Sequence, residues 1–408
     1  MPSADYTTEE FCLQPRLRIA IVTETYPPEI NGVAMTMGRM VAGLVARGHQ
    51  VQLIRPRQEA SDRPARAPGV EELLARGVRI PRYEGLRFGL PASQSLARQW
   101  THQRPDVVHV ATEGPLGWSA VSAARKLRLP VTSDFHTQFD HYSGHYGMGW
   151  LRQPVAAYLR RFHNRTARTF VPTRALAATL TEQGYERVGV ISRGVDTELF
   201  HPQRRSNALR AGWGIAYDGL AVICVGRVAA EKNLPLTLAA FARIRQARPD
   251  ARLIIVGDGP LREALAQRHP DHIFAGLRVG EDLATHYASA DLFLFPSVTE
   301  TFGNVTLEAM ASGVPLVAFD YAAARELFTP EIGGLAVPFG NEAAFVDAAQ
   351  ALACDEPRRR RLGTGGRQRV ESHSWDHIHD EFAAALASAC QGGNPPPRRF
   401  LSATRQLA

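Results

Sequence analysis

The chain of 408 residues is too long for one ordinary hydrophobic core and predicts two domains of roughly 200 residues each. Its composition, 45% hydrophobic and 21% charged, excludes a disordered or fibrous protein and is typical of a soluble globular one. The formal net charge of +7 favours an anionic partner, which could be a nucleotide, an acidic membrane surface or nucleic acid.

The N-terminus and the cysteines show no targeting or metal-binding pattern. The first 20 residues are polar and acidic, and no apolar run approaches the roughly 18 residues that a membrane span needs. The cysteines at 12, 224, 354 and 390 lack the spacing of metal ligands and the density of a disulfide framework. The sequence therefore predicts a cytoplasmic protein with reduced thiols.

Apolar runs of strand length alternate with helical patterns along the chain. The first series includes LRIAIVTET, HQVQLIRP, DVVHVA and PVTSDFHT, and the second includes GLAVICVGRV, ARLIIVGDG, DLFLFPS and PLVAFD. This alternation predicts an α/β fold of two doubly wound, Rossmann-like domains with a cleft between them. We expect an N-terminal domain over 1–203, a linker at 200–219, a C-terminal domain over 204–372, a helix over 373–392 and a disordered tail at 393–408.

The loop after the first strand reads TETYPPEINGVAMTMGRM, in which Gly32 stands at the start of a helical pattern. Glycine at that position lets an anionic group approach the free amides of a helix N-terminus, although an ordinary loop glycine explains it equally well. No G-x-G-x-x-G follows the first strand of either series, and the nearest match, VGDGPLREA, ends in Arg. A dehydrogenase fingerprint is therefore unsupported.

Two basic residues follow the first strand of the second series. Arg227 and Lys232 lie in VGRVAAEKN, and Lys232 and Lys126 are the only lysines among 47 basic residues. Two cations at the carboxyl end of a strand suit a diphosphate, because they neutralise the charge on a departing nucleoside diphosphate. Solvated surface charges at the start of a loop are the alternative.

The stretch PSVTETFGNVTLEAMASGVP places Glu300 in a loop and Glu308 about one turn into the next helix, which Gly313 and Pro315 are expected to end. The loop joins a strand to a helix N-terminus, where free amides and the helix dipole favour an anion. One carboxylate could bind sugar hydroxyls and the other the two hydroxyls of a ribose. The alternative is that Glu308 only complements the helix dipole.

Four segments, GRVAAEKN, VGDGPLREAL, SADLFLFPSVTETFGNVTLEAMASGVPLVA and SRGVDTELFHP, together resemble the retaining glycosyltransferases of the GT-B fold, sequence family four. The resemblance extends from about residue 17 to 390. The first half contains TETYPPEINGVAMTM, TEGPLGWSAVSAARKLRLPVTSDFHTQFDHYSGHYG and VPT. With these stretches it resembles a branch that contains GDP-mannose-dependent α-mannosyltransferases and glycolipid glycosyltransferases. SHSWDHIHDEFAAALASAC resembles the final helix of the family, which crosses back to the N-terminal domain.

The resemblance implies roles for the residues singled out above. Arg227 and Lys232 match the pair that holds the donor diphosphate, and Gly32 matches the loop glycine whose amide approaches it. Glu300 and Glu308 match the E-x7-E pair of the family, with the first carboxylate at the donor sugar and the second at the ribose.

Two further matches complete the implied site. Phe302, Gly303 and Asn304 match the loop whose backbone amides approach the donor, and His136 matches a histidine at the sugar side of the cleft. Without the resemblance, a lone histidine after a strand is more often structural. The implied catalytic residues are His136, Arg227, Lys232 and Glu300, and the remaining residues bind the donor.

The reaction that the resemblance implies is replacement of a nucleoside diphosphate by an acceptor hydroxyl with retention of the anomeric configuration. The usual proposal for the family is a same-face route, in which the leaving phosphate helps to deprotonate the acceptor. The sequence contains no D-x-D motif, which is consistent with Arg227 and Lys232 in place of a metal. We therefore predict a metal-independent enzyme that needs no cofactor besides its nucleotide-sugar substrate.

The donor and the acceptor stay open at this point. We expect GDP-mannose and a lipid-linked or membrane acceptor, with UDP-glucose, UDP-galactose or UDP-glucuronate and diacylglycerol as the close alternative. Other classes are a GT-B epimerase or phosphorylase and a non-catalytic nucleotide-sugar binder. The unbroken TETFGNVTLEAMASG argues against the former, and the presence of Arg227, Lys232 and Glu300 argues against the latter.

Residues 150–174 combine six arginines with Trp150, Tyr158, Phe162 and Phe170. A basic helix with aromatic residues could lie on an anionic membrane, which would make the protein peripheral on the inner face of the membrane. A solvated helix that packs through its aromatic residues explains the segment equally well. No recognition motif supports binding of nucleic acid.

Two other clusters favour ordinary surfaces. The four arginines at 358–361 predict a solvated helical face. His373, His377 and His379 could suggest a metal site, but no acidic or cysteine partner accompanies them at ligand spacing. A helix near the interdomain hinge is therefore favoured.

Overall fold

Two parallel β-sheets, each covered by helices, organise the computed structural model, which describes residues 16–29, 31–79, 87–136, 152–330 and 332–392. The predicted tail at 393–408 lies outside these residues. The prediction of an α/β protein with two doubly wound domains is confirmed.

The first sheet is built from the N-terminal half of the chain. In the described part of this half, the strands are β1 (Arg18–Val22), β2 (Gln50–Pro56), β3 (Arg66–Ala67), β4 (Val70–Ala75), β5 (Gly77–Arg79), β6 (Arg87–Gly89), β7 (Val107–Val110), β8 (Val131–Asp134), β9 (Arg168–Val171) and β10 (Val188–Val190). The helices are α1 (Gly32–Ala46), α2 (Ser93–His102), α3 (Pro115–Lys126), α4 (Arg152–His163) and α5 (Arg174–Glu182).

The order of the first sheet is β10–β9–β8–β7–β1–β2–β4–β3, with parallel neighbours except for the pair β3–β4. Every residue of β7 is buried, because helices cover both faces of the sheet. The strand order reverses at β1, so the carboxyl ends of β1 and β7 border a crevice that a ligand can enter. Strands β5 and β6 form a separate antiparallel hairpin.

The second sheet takes its strands from the C-terminal half. They are β11 (Ala221–Val225), β12 (Arg252–Val256), β13 (Ile273–Gly276), β14 (Leu292–Phe295), β15 (Leu316–Phe319) and β16 (Gly334–Val337). The helices of this half are α6 (Asn207–Gly212), α7 (Leu234–Ala247), α8 (Arg262–Arg268), α9 (Gly280–Ala288), α10 (Asn304–Ala311), α11 (Ala322–Leu327), α12 (Glu342–Cys354), α13 (Glu356–Glu371) and α14 (Trp375–Gly392).

All neighbours in the second sheet are parallel, in the order β13–β12–β11–β14–β15–β16. The apolar strand β11 is buried along its whole length and lies at the centre. The order reverses between β11 and β14, so the loops that follow these two strands meet at the second crevice.

The segment 200–219, which the sequence suggests as a linker, folds onto the second domain. It contains α6, and its residues Trp213 and Ile215 join the core of the second sheet. Arg210 is buried and donates to Asp291 Oδ2 at 2.9 Å and to the carbonyl oxygen of Ser289 at 2.8 Å. These bonds satisfy the guanidinium, which is why a polar segment can pack against a core.

The chain passes between the domains twice, and the two passages lie side by side. The backbone N–H of Val195 donates to the carbonyl oxygen of His373 at 2.9 Å, and Val195 forms an isolated parallel bridge with Ser374. After the second passage, α14 packs against α1 and β7, with Phe382 and Leu386 in the core of the first sheet.

Candidate active site

The residues predicted for the site follow strands that lie at or beside the two reversals of strand order. Gly32 ends the loop after β1, and His136 follows β8, the neighbour of β7. Arg227 follows β11, and Glu300 follows β14. The structure therefore places these four residues at the carboxyl edges of the two sheets, where doubly wound folds bind their ligands.

The loop between β1 and α1 is held by its own polar side chains. Asn31 caps α1 by accepting a hydrogen bond from the Ala34 amide at 2.9 Å. The Glu29 carboxylate accepts from the Thr25 hydroxyl and from the Asn31 side chain. A Cβ added to Gly32 would meet no atom of the described residues within 4 Å. The first amides of α1 thus border open space that a phosphate could fill.

Lys232 and Glu300 are in direct contact. The Lys232 ammonium donates to Glu300 Oε1, and the Ser297 hydroxyl donates to the same oxygen at 2.7 Å. Tyr321 holds this loop by donating to the carbonyl oxygen of Ser297 at 2.7 Å. The lysine side chain is 22% exposed and the glutamate 13%, so both reach the surface of the crevice.

Arg227 lies beside this pair at the end of β11. Its guanidinium forms an ion pair with Glu231 at 3.5 Å, and Glu231 is buried while 44% of the Arg227 side chain is exposed. Gly257, with φ +137°, lets the end of β12 press against this turn, since a Cβ there would lie 1.9 Å from the carbonyl oxygen of Gly226. The buried Glu231 therefore holds the Arg227 guanidinium on one side, and the side chain is partly exposed at the crevice.

Phe302, Gly303 and Asn304 form the entry to α10. The Phe302 ring is buried in the core of the second domain, so only its backbone can face a ligand. Gly303 adopts φ +90°, a conformation that other residues rarely take, and α10 begins at Asn304. This turn aims the first amides of α10, which have no intrahelical partners, at the crevice beside Glu300.

Glu308 lies one turn into α10 and bonds to a tyrosine. The hydroxyl of the fully buried Tyr287 donates to Glu308 Oε2 at 3.0 Å. Burial raises the pKa of the Glu308 carboxyl to about 7, although the bond from Tyr287 lowers it. Ligand hydroxyls that donate to this carboxyl would favour its charged form.

His136 is fixed on both sides of its ring. Arg193 lies 3.1 Å from Nδ1, and Asp134 Oδ2 lies 3.1 Å from Nε2. An arginine can only donate, so Nδ1 is the acceptor and Nε2 carries the hydrogen that faces the aspartate. Nδ1 is therefore hydrogen-bonded within the protein, whereas Nε2 is buried and makes no hydrogen bond to the described residues, although the Asp134 carboxylate lies close to it.

Arg193 is a site residue that the sequence analysis missed. It is buried in the first passage between the domains, beside His136. Burial lowers its pKa, and Asp134 opposes that shift. Burial also opposes ionisation of Asp134, but the imidazoles of His109 and His136 outweigh it and hold that pKa well below the usual value. The only sequence signal was the stretch SRGVDTELF, which carries a family resemblance but assigns no role to the arginine.

The remaining clusters of the sequence analysis do not join this site. Among the residues that the structure describes, no group of three or more His, Cys, Asp or Glu could hold a metal ion. His379 packs under Trp375, with ring centroids 5.7 Å apart. Phe162 and Phe170 are buried, which leaves them no membrane face, and Trp150 lies outside the described residues. No helix of the described part combines the length and apolarity needed to cross a membrane.

Comparison with known proteins identifies relatives along most of the chain. Glycosyltransferase Family 4 matches residues 30–199, and Glycosyl transferases group 1 matches residues 219–355. A GDP-mannose-dependent alpha-mannosyltransferase of Mycobacterium tuberculosis is 35% identical over 90% of this chain and 95% of its own length. Alpha-monoglucosyldiacylglycerol synthase of Streptococcus pneumoniae is 28% identical over 74% of this chain and 71% of its own.

Solved structures share the same architecture. Sucrose-phosphate synthase from Thermosynechococcus elongatus superposes with a TM-score of 0.75 at 21% identity, over 91% of this chain and 99% of that one. The two sheets, the reversals of strand order and these matches agree. The chain belongs to glycosyltransferase family 4, the group-1 glycosyltransferases, and has the GT-B fold.

Proposed function

We propose that the protein transfers a mannosyl group from GDP-mannose to a hydroxyl of a lipid-linked acceptor, retains the anomeric configuration and needs no metal ion. The observation that carries the proposal is the contact between Lys232 and Glu300. It joins the side chain expected at the diphosphate to the side chain expected at the sugar. The bond between these two parts of the donor, which the reaction breaks, would then lie over the pair.

The donor would lie along the carboxyl edge of the second sheet. Arg227 and Lys232 direct positive charge toward its phosphates, and the first amides of α10 add hydrogen-bond donors. Glu308 accepts the two hydroxyls of the ribose. The open space above Gly32 leaves room for the diphosphate on the opposite wall.

In the transfer step, the bond between C1 of mannose and the phosphate oxygen breaks, and a bond from C1 to the acceptor oxygen forms on the same face of the ring. The acceptor proton passes to the departing phosphate oxygen. Arg227 and Lys232 stabilise the negative charge that builds on GDP. Glu300 stabilises the positive charge that builds on the sugar ring.

The contacts of the basic pair and of His136 support two further parts of the proposal, metal independence and a modest role for His136. Two fixed cations beside the phosphates supply the charge that a metal ion supplies in other transferases. Since Arg193 holds Nδ1 of His136 and Asp134 lies beside Nε2, we assign that ring to shaping the sugar pocket rather than to moving a proton.

The second candidate is a UDP-sugar-dependent glycosyltransferase that acts on diacylglycerol. The similarity to the Streptococcus pneumoniae diacylglycerol enzyme favours it. Mannose transfer is preferred because the mannosyltransferase relative is more similar and is matched over more of both chains.

Transfer of label into lipid tests the proposal. The purified protein is incubated with radiolabelled GDP-mannose or UDP-glucose and a lipid extract, with and without EDTA. We expect label from GDP-mannose in the organic phase at equal rates with EDTA, and an α-linked product by NMR. Label from UDP-glucose alone would favour the second candidate, and loss in EDTA with rescue by Mg²⁺ would contradict metal independence.

A further inference from the structure

The β5–β6 hairpin exposes three large apolar side chains. Val78 is 53% exposed, Phe88 45% and Leu90 41%. A soluble domain seldom leaves neighbouring apolar side chains uncovered, and such patches mark contact surfaces.

These three side chains lie on one face of the hairpin. Val78 pairs directly with Phe88, and the Leu90 amide donates to the Arg76 carbonyl at 2.7 Å, which continues the ladder by one step on the same face. The alternate pair faces the domain, because a Cβ at its residue Gly89 would lie 2.5 Å from the Leu116 Cβ. We call the opposite side, which carries Arg76, Val78, Phe88 and Leu90, the outer face.

Helix α4 and the hairpin both contact the start of α3. The Tyr158 hydroxyl donates to the Glu113 carbonyl at 2.6 Å, and its ring stacks on Trp118 at 5.5 Å, while Gly89 abuts Leu116. Tyr158 is itself 42% exposed. The hairpin and α4 therefore flank the same turn of α3.

In the described part of these two elements, the charged side chains are of one sign. The ranges 76–79, 87–90 and 152–163 together contain six arginines and no aspartate or glutamate. Arg76 and Arg161 are exposed. The carboxylates that contact this region, Glu24 and Glu113, are buried and so add little negative potential at the surface.

We propose that the outer face docks the protein on an anionic lipid bilayer. Apolar side chains among arginines suit such a surface, because the apolar groups enter the acyl boundary while the guanidinium groups pair with lipid phosphates. The apolar area of the outer face suits a bilayer better than a protein partner. Three side chains cover less than the roughly 800 Å² that each partner buries in a stable protein interface.

Docking at this place brings the cleft to the lipid. The turn at 113–116 follows β7, so it lies at the carboxyl edge of the first sheet, on the acceptor side of the crevice. The usefulness of this location rests on the proposed lipid acceptor, but binding to vesicles can be measured without any transfer reaction.

Vesicle flotation with the full chain tests the surface. The protein is mixed with vesicles of phosphatidylcholine alone or with added phosphatidylglycerol, and the floated fraction is measured. We expect binding to the anionic vesicles only, and a loss of about tenfold or more in the double variant Val78→Glu/Phe88→Glu. Tyr217→Glu, at a residue of the second domain that is 91% exposed, is the matched control and should bind like the wild type.

Titration with GDP shows whether each variant is folded and keeps its nucleotide site. Equal flotation of the double variant and the wild type, or equal binding to neutral and anionic vesicles, would overturn the proposal. A dimeric wild type and a monomeric double variant in light scattering would also overturn the proposal, because a second copy of the chain would then cover the outer face. Binding of GDP without flotation of the wild type removes the docking surface and leaves the proposed transfer reaction intact.

Discussion

The carboxyl edges of the two sheets use their charged groups in opposite ways. In the first domain, the side chains of Asp134, His136 and Arg193 are buried, and His136 lies between the other two, with a hydrogen bond to Arg193 and with Nε2 3.1 Å from Asp134. In the second domain, Arg227 and Lys232 have side chains that are 44% and 22% exposed at the crevice. A charged group that is already paired and buried gains little further stabilisation from a ligand, whereas a partly exposed charged group can bind one. We infer that the carboxyl edge of the first sheet forms a rigid wall of the cleft and that the carboxyl edge of the second sheet binds the donor.

The largest effect is expected from Glu300→Gln. Removal of the carboxylate charge should lower turnover by about a thousandfold, because the charge that builds on the sugar loses its partner. GDP affinity should stay equal or rise, since Lys232 is released from its contact with Glu300. Steady-state kinetics and calorimetry measure the two effects. Full activity in the variant would remove the role assigned to this residue.

Arg193→Gln should act on stability instead of on nucleotide binding. The variant leaves the buried His136 Nδ1 without its charged donor and removes a positive charge that interacts with the buried Asp134, which costs about 3 kcal/mol in the free energy of unfolding. Arg193→Lys keeps the positive charge and should lose less. Chemical denaturation measures the cost, and GDP titration of the folded variants should match the wild type. A variant of normal stability that fails to bind GDP would place Arg193 at the donor site and contradict the different roles of the two edges.

Lys232→Ala should weaken GDP binding by about 2 kcal/mol, or roughly thirtyfold, because the ammonium no longer meets the phosphates. Lys126→Ala is the matched control, since this exposed lysine lies at the end of α3. Calorimetric titration distinguishes the two variants. If both bind GDP as the wild type does, the diphosphate lies elsewhere.

The smallest effect is a dependence of GDP affinity on pH. The Glu308 carboxyl has a pKa of about 7 in the free protein, so it is mostly protonated at pH 6 and mostly charged at pH 8. Ribose hydroxyls that donate to the carboxylate favour the charged form, and binding should be about tenfold tighter at pH 8 than at pH 6. Glu308→Gln removes this titration but not that of GDP itself. The ratio of wild-type to variant affinity should therefore rise with pH, and a constant ratio would exclude the contact.

The architecture could be predicted because it depends on local patterns. Buried parallel strands such as β11 are continuous apolar runs, and glycine with proline marks the ends of helices. The helix after Glu300 ends as expected, with Gly313 at φ +73°. The ends of the predicted strands also indicated where Arg227, Lys232 and Glu300 lie in the fold.

The missed features depend on partners that are distant in sequence. Arg193 meets His136 across 57 residues, and Arg210 meets Asp291 across 81. A polar stretch gives no sign that its arginine will be buried against such a partner. The aromatic residues of 150–174 show the same limit, because the pattern alone could not say that Phe162 enters the core.

A calorimetric titration in EDTA tests whether the second domain binds a guanosine nucleotide through Lys232. The purified wild type and Lys232→Ala are each titrated with GDP, GDP-mannose, UDP and UDP-glucose. We expect the wild type to bind GDP and GDP-mannose at least about tenfold more tightly than the uridine compounds, and the variant to lose most of this affinity. Selective binding of UDP and UDP-glucose, or binding of GDP that the variant leaves unchanged, would contradict this expectation.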